Sequence, residues 1–240
     1  MFKFLRDAIA YFVGYVVRFI YLGVSSLGSE PANISFLAIS IILSTILITL
    51  INIPVTKKQV IQQQKTQKIQ PELQELQKKY KNQPELLNQK VRELYKKHDF
   101  SMSAGCLSML AIYPILLGFF WALRNPHIYI FSDAAQFASI AKNFLWVKDL
   151  TQIDVIYGLP LVNVVIQIVM GLLMMPKTEG TKNPMMGMMF VLPLIILFQY
   201  KIIPAGVFLY WSVSMAMNTV IRQIVTKKLK EEEENKPVAE

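Results

Sequence analysis

Residues 31–59 read PANISFLAISIILSTILITLINIPVTKKQ, which is 26 residues without a charge from Pro31 to Thr56, followed by Lys57 and Lys58. A helix needs about 20 mostly apolar residues to cross a hydrocarbon core about 30 Å thick, so this run is long enough to span a bilayer. Within it and just beyond it, Thr45, Thr49, Asn52, Thr56 and Gln59 fall at steps of four, three, four and three. Residues so spaced share one face of a helix. A span with a single polar stripe is expected where that stripe meets protein or a water-filled cavity instead of lipid.

Four more runs lack Asp, Glu, Lys and Arg: Phe100–Leu123 (24 residues), Val155–Pro176 (22), Asn183–Tyr200 (18) and Ile202–Ile221 (20). The fourth run, Asn183–Tyr200, contains Pro193 and is expected to be short or kinked. With 53% hydrophobic and only 17% charged residues in 240, the chain is far from the roughly 25% charged of a soluble domain. Disorder, a collagen-like fold and a disulfide-stapled fold are excluded by the apolar composition, ten glycines and one cysteine. The expected fold is an all-α membrane protein with five transmembrane helices, at about 34–56, 104–123, 155–176, 184–200 and 203–222.

The net charge of +9 is one-sided. Lys57–Ser101 holds eleven Lys/Arg against five Asp/Glu, whereas Arg124–Asp154 holds three of each. Basic loops stay in the cytoplasm, which puts hairpin 57–101 inside, loop 124–154 outside, the N-terminus outside and the tail 227–240 inside. In the first 29 residues, Ile9, Phe12, Val13, Val16, Val17, Ile20 and Tyr21 recur at helical spacing between Lys3, Arg6 and Arg18. They are expected to form an amphipathic helix on the outer membrane surface, with a signal anchor or cleaved signal as the other reading.

Hairpin 57–101 is read from two apolar seams, Ile69-Leu73-Leu76-Tyr80 and Leu87-Val91-Leu94, joined by Asn82-Gln83-Pro84. Two helices with matching stripes and a tight turn make an antiparallel coiled-coil hairpin. Its basic face comprises Lys65, Lys68, Lys78, Lys79, Lys81, Lys90, Arg92, Lys96 and Lys97. Such a face beside a membrane suits anionic lipid or ribosomal RNA, and nothing in the chain suggests DNA as a partner.

Two further spans carry polar seams: Asn163 and Gln167 in the third, and Trp211, Ser214, Asn218 and Arg222 in the fifth. Together with Thr45, Thr49 and Asn52 they outline a shared hydrophilic groove; the blander alternative is hydrogen-bonded packing between helices. Arg222, near the end of its span, can snorkel to the interface. No enzyme chemistry and no cofactor or metal site is expected. His98 and His127 lack ligand partners at useful spacing, Cys106 has no neighbouring histidine, and Met185, Met186, Met188 and Met189 read as flexible packing.

These residues also carry a family resemblance. Pro54-Val55-Thr56-Lys57-Lys58-Gln59, Lys68-Ile69-Gln70-Pro71-Glu72-Leu73, Lys79-Tyr80-Lys81, Leu94-Tyr95-Lys96 and Gly105-Cys106-Leu107 look like the YidC membrane-protein insertases of the Oxa/Alb/YidC superfamily. So do Pro114-Ile115-Leu116, Phe144-Leu145-Trp146-Val147-Lys148-Asp149-Leu150, Leu159-Pro160-Leu161, Ile203-Pro204-Ala205-Gly206 and Leu209-Tyr210-Trp211-Ser212-Val213-Ser214. The resemblance covers residues 30–226 in order, and is closest to Gram-positive forms without a large periplasmic domain.

It implies five spans around a groove open to the cytoplasm and the lipid, nascent membrane proteins as clients, and the ribosome and the Sec translocon as partners. The chain departs from the family at Thr49, where an arginine is usual five residues before the proline closing the first span. The function implied is a membrane insertase and chaperone. A small-solute channel or transporter, and a ribosome-tethering assembly scaffold, are the alternatives.

Overall fold

A computed structural model describes residues 2–98, 113–131, 133–173 and 200–235. The fourth span, the start of the second, Cys106 and the methionines at 185–189 lie outside the described residues. The elements are α1 (Phe2–Ser25), α2 (Phe36–Ile51), α3 (Ile53–Lys79), α4 (Pro84–Lys97), α5 (Tyr113–Arg124), α6 (Pro126–Tyr129), α7 (Ala134–Ser139), α8 (Gly158–Leu173) and α9 (Ala205–Glu234), with a 3₁₀ turn at Tyr200–Ile202. Among the described residues there is no strand, only the isolated bridges Ile34–Phe144 and Phe144–Val147. The protein is all-α.

The chain divides into two compact units, Met1–Asn52 with Ile112–Val220, and Ile53–Ala111 with Ile221–Glu240. In the first unit a core of Leu37, Ala38, Ile41, Phe119, Ala122, Leu123, Leu150 and Phe208 is fully or almost fully buried. Phe119 stacks on Tyr210 with ring centroids 4.0 Å apart, joining α5 to α9.

Loop 140–158 determines where several of these helices begin. The backbone N–H groups that open a helix have no partner within it, and the loop supplies partners. Ala205 and Gly206 at the start of α9 donate to the carbonyls of Gln152 (2.7 Å) and Leu150 (2.8 Å). Ser35, just before α2, donates to Asn143 (2.9 Å), and Leu145 donates back to Asn33 (2.8 Å). The buried Asp154 accepts from Leu159 N–H in the first turn of α8 (2.7 Å), from Ile156 N–H (3.2 Å) and from the Trp146 indole (3.2 Å). This turn places the described start of α8 at Gly158, three residues after the apolar run begins.

The first unit also contains α1, which packs Ala10, Val13, Val17 and Tyr21 against α2, α5 and the connection that follows α5. Arg6 lies over the Trp121 ring (4.4 Å), Asp7 accepts from the Tyr129 hydroxyl (2.9 Å), and Tyr21 meets Phe131 edge-on (5.1 Å). Asp7 and Tyr21 are about 21 Å apart along the helix, yet their partners are two residues apart. Both ends of this stretch therefore lie against the same short connection. The face turned away from the core is not polar. Phe4, Phe12, Tyr15 and Phe19 are mostly exposed, and the charged Arg6, Asp7 and Arg18 lie on the flanks, half-buried. By length and composition, α1 is long and apolar enough to cross a membrane.

Two expected boundaries shift. The run read as one span to residue 56 breaks after Ile51: Asn52 caps α2, its amide donating to the Ile48 carbonyl (2.8 Å), and Pro54 has no N–H to continue the ladder. The tail expected from 227 continues α9 through Glu234, because Lys, Leu and Glu favour a helix. Lys227 also faces Glu231 at 3.9 Å, four residues on.

In the second unit α3 and α4 run antiparallel through the turn Tyr80–Gln83, with Ile69 and Leu94 buried on the expected seams. Glu72 of α3 meets His98 (3.0 Å) and Lys97 (3.4 Å) at the end of α4. Pro71 is accommodated inside α3.

Gly14 supplies a test of the α1 packing. A side-chain carbon there would collide with the backbone carbonyl of Tyr129, while one at Gly23 on the same helix would meet nothing within 4 Å. Gly14→Ala is expected to destabilise by about 1–3 kcal/mol, and Gly23→Ala to stabilise by up to about 1 kcal/mol. Thermal unfolding of both in one detergent checks this; an unchanged midpoint for Gly14→Ala would contradict the docking of α1.

Candidate functional site

Each polar residue expected to line the groove lies in the first unit. Thr45 and Asn163 are fully buried, Thr49, Gln167 and Ser214 are buried, and Asn52, Trp211 and Asn218 are half-buried. Position alone does not make them equivalent, because they hydrogen-bond in two different ways.

The side chains of the first span turn back on their own helix. Thr45 donates to the Ile41 carbonyl (2.6 Å), Thr49 to Thr45 (2.7 Å) and Asn52 to Ile48 (2.8 Å), each four residues back. Ser40 and Ser44, which the stripe reading passed over, do the same toward Phe36 and Ser40 and are fully buried. Hydroxyls so placed satisfy themselves where no water reaches them. Their presence was visible as serines in the run, but they fall off the threonine stripe.

The amides of the third span bond outward. Gln167 donates to the Asn163 side-chain carbonyl, and Asn163 donates to the Ser212 hydroxyl of α9 (3.1 Å). Gln167, Asn163 and Ser212 thus form a buried chain between α8 and α9. Ser212 was not among the expected groove residues; it lies one residue after Trp211 and two before Ser214, off the spacing of the seam. On α9, Asn218 donates to the Ser214 carbonyl (2.8 Å) and hydroxyl (3.3 Å). Asn163 of the expected α8 seam is thus tied to α9 through Ser212, a residue off that helix's expected seam. Among the described residues no buried side-chain nitrogen or oxygen is left without a partner.

The runs 36–52, 158–173 and 205–221 contain no Asp, Glu, Lys or Arg, so the polarity is that of neutral groups. No group of His, Cys, Asp and Glu suited to a metal ion occurs among the described residues.

Residues 31–233 match the family of the 60Kd inner membrane protein. The chain belongs to this family, that of the YidC insertases. It is 34% identical to a membrane protein insertase YidC of Fusobacterium nucleatum over 192 residues, covering 79% of this chain and 86% of that protein. It is 31% identical to one of Clostridium tetani, covering 95% of each chain. A relative from Leptospira interrogans is 32% identical over 82% of this chain, which spans 32% of that longer protein. Membership makes this YidC relative an integral protein of the bacterial cell membrane, and the comparisons give no support to the channel or scaffold readings. The family match begins after α1.

The hairpin of the second unit presents Lys65, Lys68, Lys78, Lys79, Lys81, Arg92, Lys96 and Lys97 as exposed residues, with Lys90 half-buried. Lys90 is hydrogen-bonded to Glu93 (2.7 Å), which holds that carboxyl below its ordinary range, and Lys97 pairs with Glu72. The cations of this face are spread along both helices as a distributed positive surface.

The amide chain predicts a measurable coupling. Asn163→Ala and Ser212→Ala, alone and together, should give an interaction energy of about 0.5–1.5 kcal/mol in a double-mutant cycle of unfolding. Thr45→Val removes a bond within one helix whose carbonyl still receives the backbone N–H, and should cost less than Asn163→Ala. Additive Asn163 and Ser212 effects would show that the chain does not tie α8 to α9.

Proposed function

We propose that this protein inserts nascent membrane proteins into the bilayer through a hydrophilic groove built from Thr45, Thr49, Asn52, Asn163, Gln167, Trp211, Ser214 and Asn218. The observation that carries the reading is a buried, neutral polar seam in a chain of the insertase family. A polar flank that crosses hydrocarbon loses hydrogen bonds worth several kcal/mol per group, and a polar interior shortens that barrier. The client's apolar part then moves into lipid at a gain of roughly 25 cal/mol per Å² buried.

The proposed arrangement has five spans, with the insertase core at 30–226, hairpin 57–101 in the cytoplasm, and the C-terminal segment 227–240 also inside. The charge asymmetry of +6 against zero in the two large loops supports this orientation. For residues 1–29 the proposal is a helix lying in the outer interface. The contacts of Asp7 and Tyr21 with one short connection support it, and the aromatic outer face of α1 suits an acyl-headgroup boundary. The basic hairpin face is proposed to meet the ribosome and anionic lipid, and the Sec translocon is proposed as a co-operating partner.

Depleting a host's own insertase and expressing this chain should restore insertion of a small one- or two-span client; failure to restore it would overturn the proposal. Thr49 lies mid-stripe and is buried. Thr49→Arg should alter which clients are inserted in the depleted strain, while Thr49→Val should not. An identical client profile for both variants would remove position 49 from client choice.

A further inference from the structure

Loop 140–158 of the first unit turns sharply twice, and both turns carry apolar residues at the tip. Phe144 and Val147 exchange backbone hydrogen bonds (2.8 and 2.9 Å) around Leu145 and Trp146. Tyr157 donates to the Asp154 carbonyl (3.2 Å) around Val155 and Ile156. Turn tips normally go to Gly, Pro, Asn, Asp and Ser, for their backbone freedom or their side-chain hydrogen bonds. Here Val155 is 78% exposed, Ile156 63%, Leu145 51% and Trp146 42%. Leu145 and Tyr157 are also the non-glycine residues with positive φ among the described residues, at 52° and 60°. A bulky side chain in that region costs stability, and two-residue turns usually place Gly or Asn there. Leucine at this tip is therefore held against strain.

The two tips are braced to each other. The Trp146 indole and the Ile156 N–H both donate to the buried Asp154 (3.2 Å each). Gly158 lets Trp146 lie on the first residue of α8, where a side-chain carbon would collide with the indole. The Leu145 N–H donates to the Asn33 carbonyl (2.8 Å). These donors turn inward, and the side chains turned outward are hydrocarbon. A protein partner is normally met by a rim of hydrogen-bonding groups. An apolar surface whose donors are already paired suits an acyl environment better.

Position names the bilayer as the occupant. Ile156 lies two residues, at most about 7 Å, from the first residue of α8. On that helix Leu161, Val165, Val169 and Leu172 are exposed at steps of four, four and three, on the face opposite the buried Asn163 and Gln167. In an integral membrane protein such an apolar face meets lipid. The two tips adjoin its beginning, the depth at which indole rings settle with their apolar body toward the acyl chains.

We propose that turns 144–147 and 154–157 form an apolar platform that seats Leu145, Trp146, Val155 and Ile156 in the headgroup–acyl boundary of the leaflet where α8 begins. Seated there, the platform sets the depth of α8, and with it the depth of Asn163 and Gln167. This rests on the reading of α8 as a membrane span and adds the surface that anchors its end.

The test uses the full-length protein carrying Cys106→Ser, in phosphatidylcholine nanodiscs with or without bromine on the acyl chains. Nanodiscs leave both membrane faces open to an added quencher. A nitrobenzoxadiazole label is attached at Val155→Cys or Leu145→Cys, exposed positions whose substitution leaves the core untouched. Val165→Cys on the α8 face is the lipid reference, and Lys81→Cys in the exposed hairpin turn is the water reference. Both tip labels should be quenched by brominated lipid at least half as strongly as the Val165 label, and by iodide several-fold less than the Lys81 label. Val155→Asp with Ile156→Asp should shift the Leu145 label from bromine toward iodide; an unchanged label would show that the tips do not anchor the loop. Quenching of the tips by iodide and not by bromine would put them in water and overturn the proposal. Shielding from both would mean that a protein covers them, a second copy or another partner, and would overturn it equally. If the Val165 label also escapes bromine, the spanning reading of α8 falls, an outcome distinct from the others.

Discussion

Backbone N–H groups at the start of a helix must find acceptors, and beside a bilayer water cannot be relied on to provide them. In the first unit one loop meets this requirement for three helices. Carbonyls of Asn143, Leu150 and Gln152 and the carboxylate of Asp154 take the N–H groups at the starts of α2, α9 and α8. Because the same irregular loop caps all three, their ends are fixed relative to one another. The consequence appears deeper in the bundle. Asn163 lies about 8 Å from the start of α8 and Ser212 about 11 Å from the start of α9. Ends pinned to one loop bring these two residues to similar depth, and there the amide meets the hydroxyl at 3.1 Å.

What a polar side chain does inside the bundle depends on how many partners it needs. A threonine has one proton to place, and the carbonyl four residues back is always within reach. Thr45 and Thr49 take that option, so they need nothing from a neighbouring helix. An asparagine or glutamine has two donors and an acceptor and cannot meet them all on its own helix. Asn163 therefore bonds across to α9 and draws Gln167 into the same chain. Here Asn163 does the joining, through the Ser212 hydroxyl, while Thr45 and Thr49 make a face polar without committing it to a partner.

This division explains which parts of the protein were legible in its sequence. Charge-free runs identified the apolar helices, because the cost of a charge in hydrocarbon is large enough to leave a mark in composition alone. The hairpin seams were legible for the same reason: a 3.6-residue period is local, and Ile69 and Leu94 are buried where it placed them. The helix break at Asn52 was obscured because the run stays apolar to Val55; the signal was Pro54, read as a closing residue and not as a missing donor. The role of Asp154 was illegible, since its partners Trp146 and Leu159 are set by the path of a loop that has no period. Ser212 was missed because a lone serine looks the same in sequence whether it bonds to its own helix or to an amide on another.

An insertase has to release what it binds, and this sets a limit on how polar its interior can usefully be. A hydrogen bond to a neutral group is worth about 0.5–1.5 kcal/mol net and one to a charged group about 1.5–3 kcal/mol. Every 1.4 kcal/mol is a factor of ten in residence. Several fixed charges along a groove would hold a polar flank for times that outlast its transfer, whereas a seam of hydroxyls and amides holds it by contacts that exchange one at a time. The described runs 36–52, 158–173 and 205–221 contain no charge at all, and the first cation on α9 comes at Arg222, after the seam has reached its end. A seam so composed offers only neutral contacts to break before an apolar segment departs into lipid.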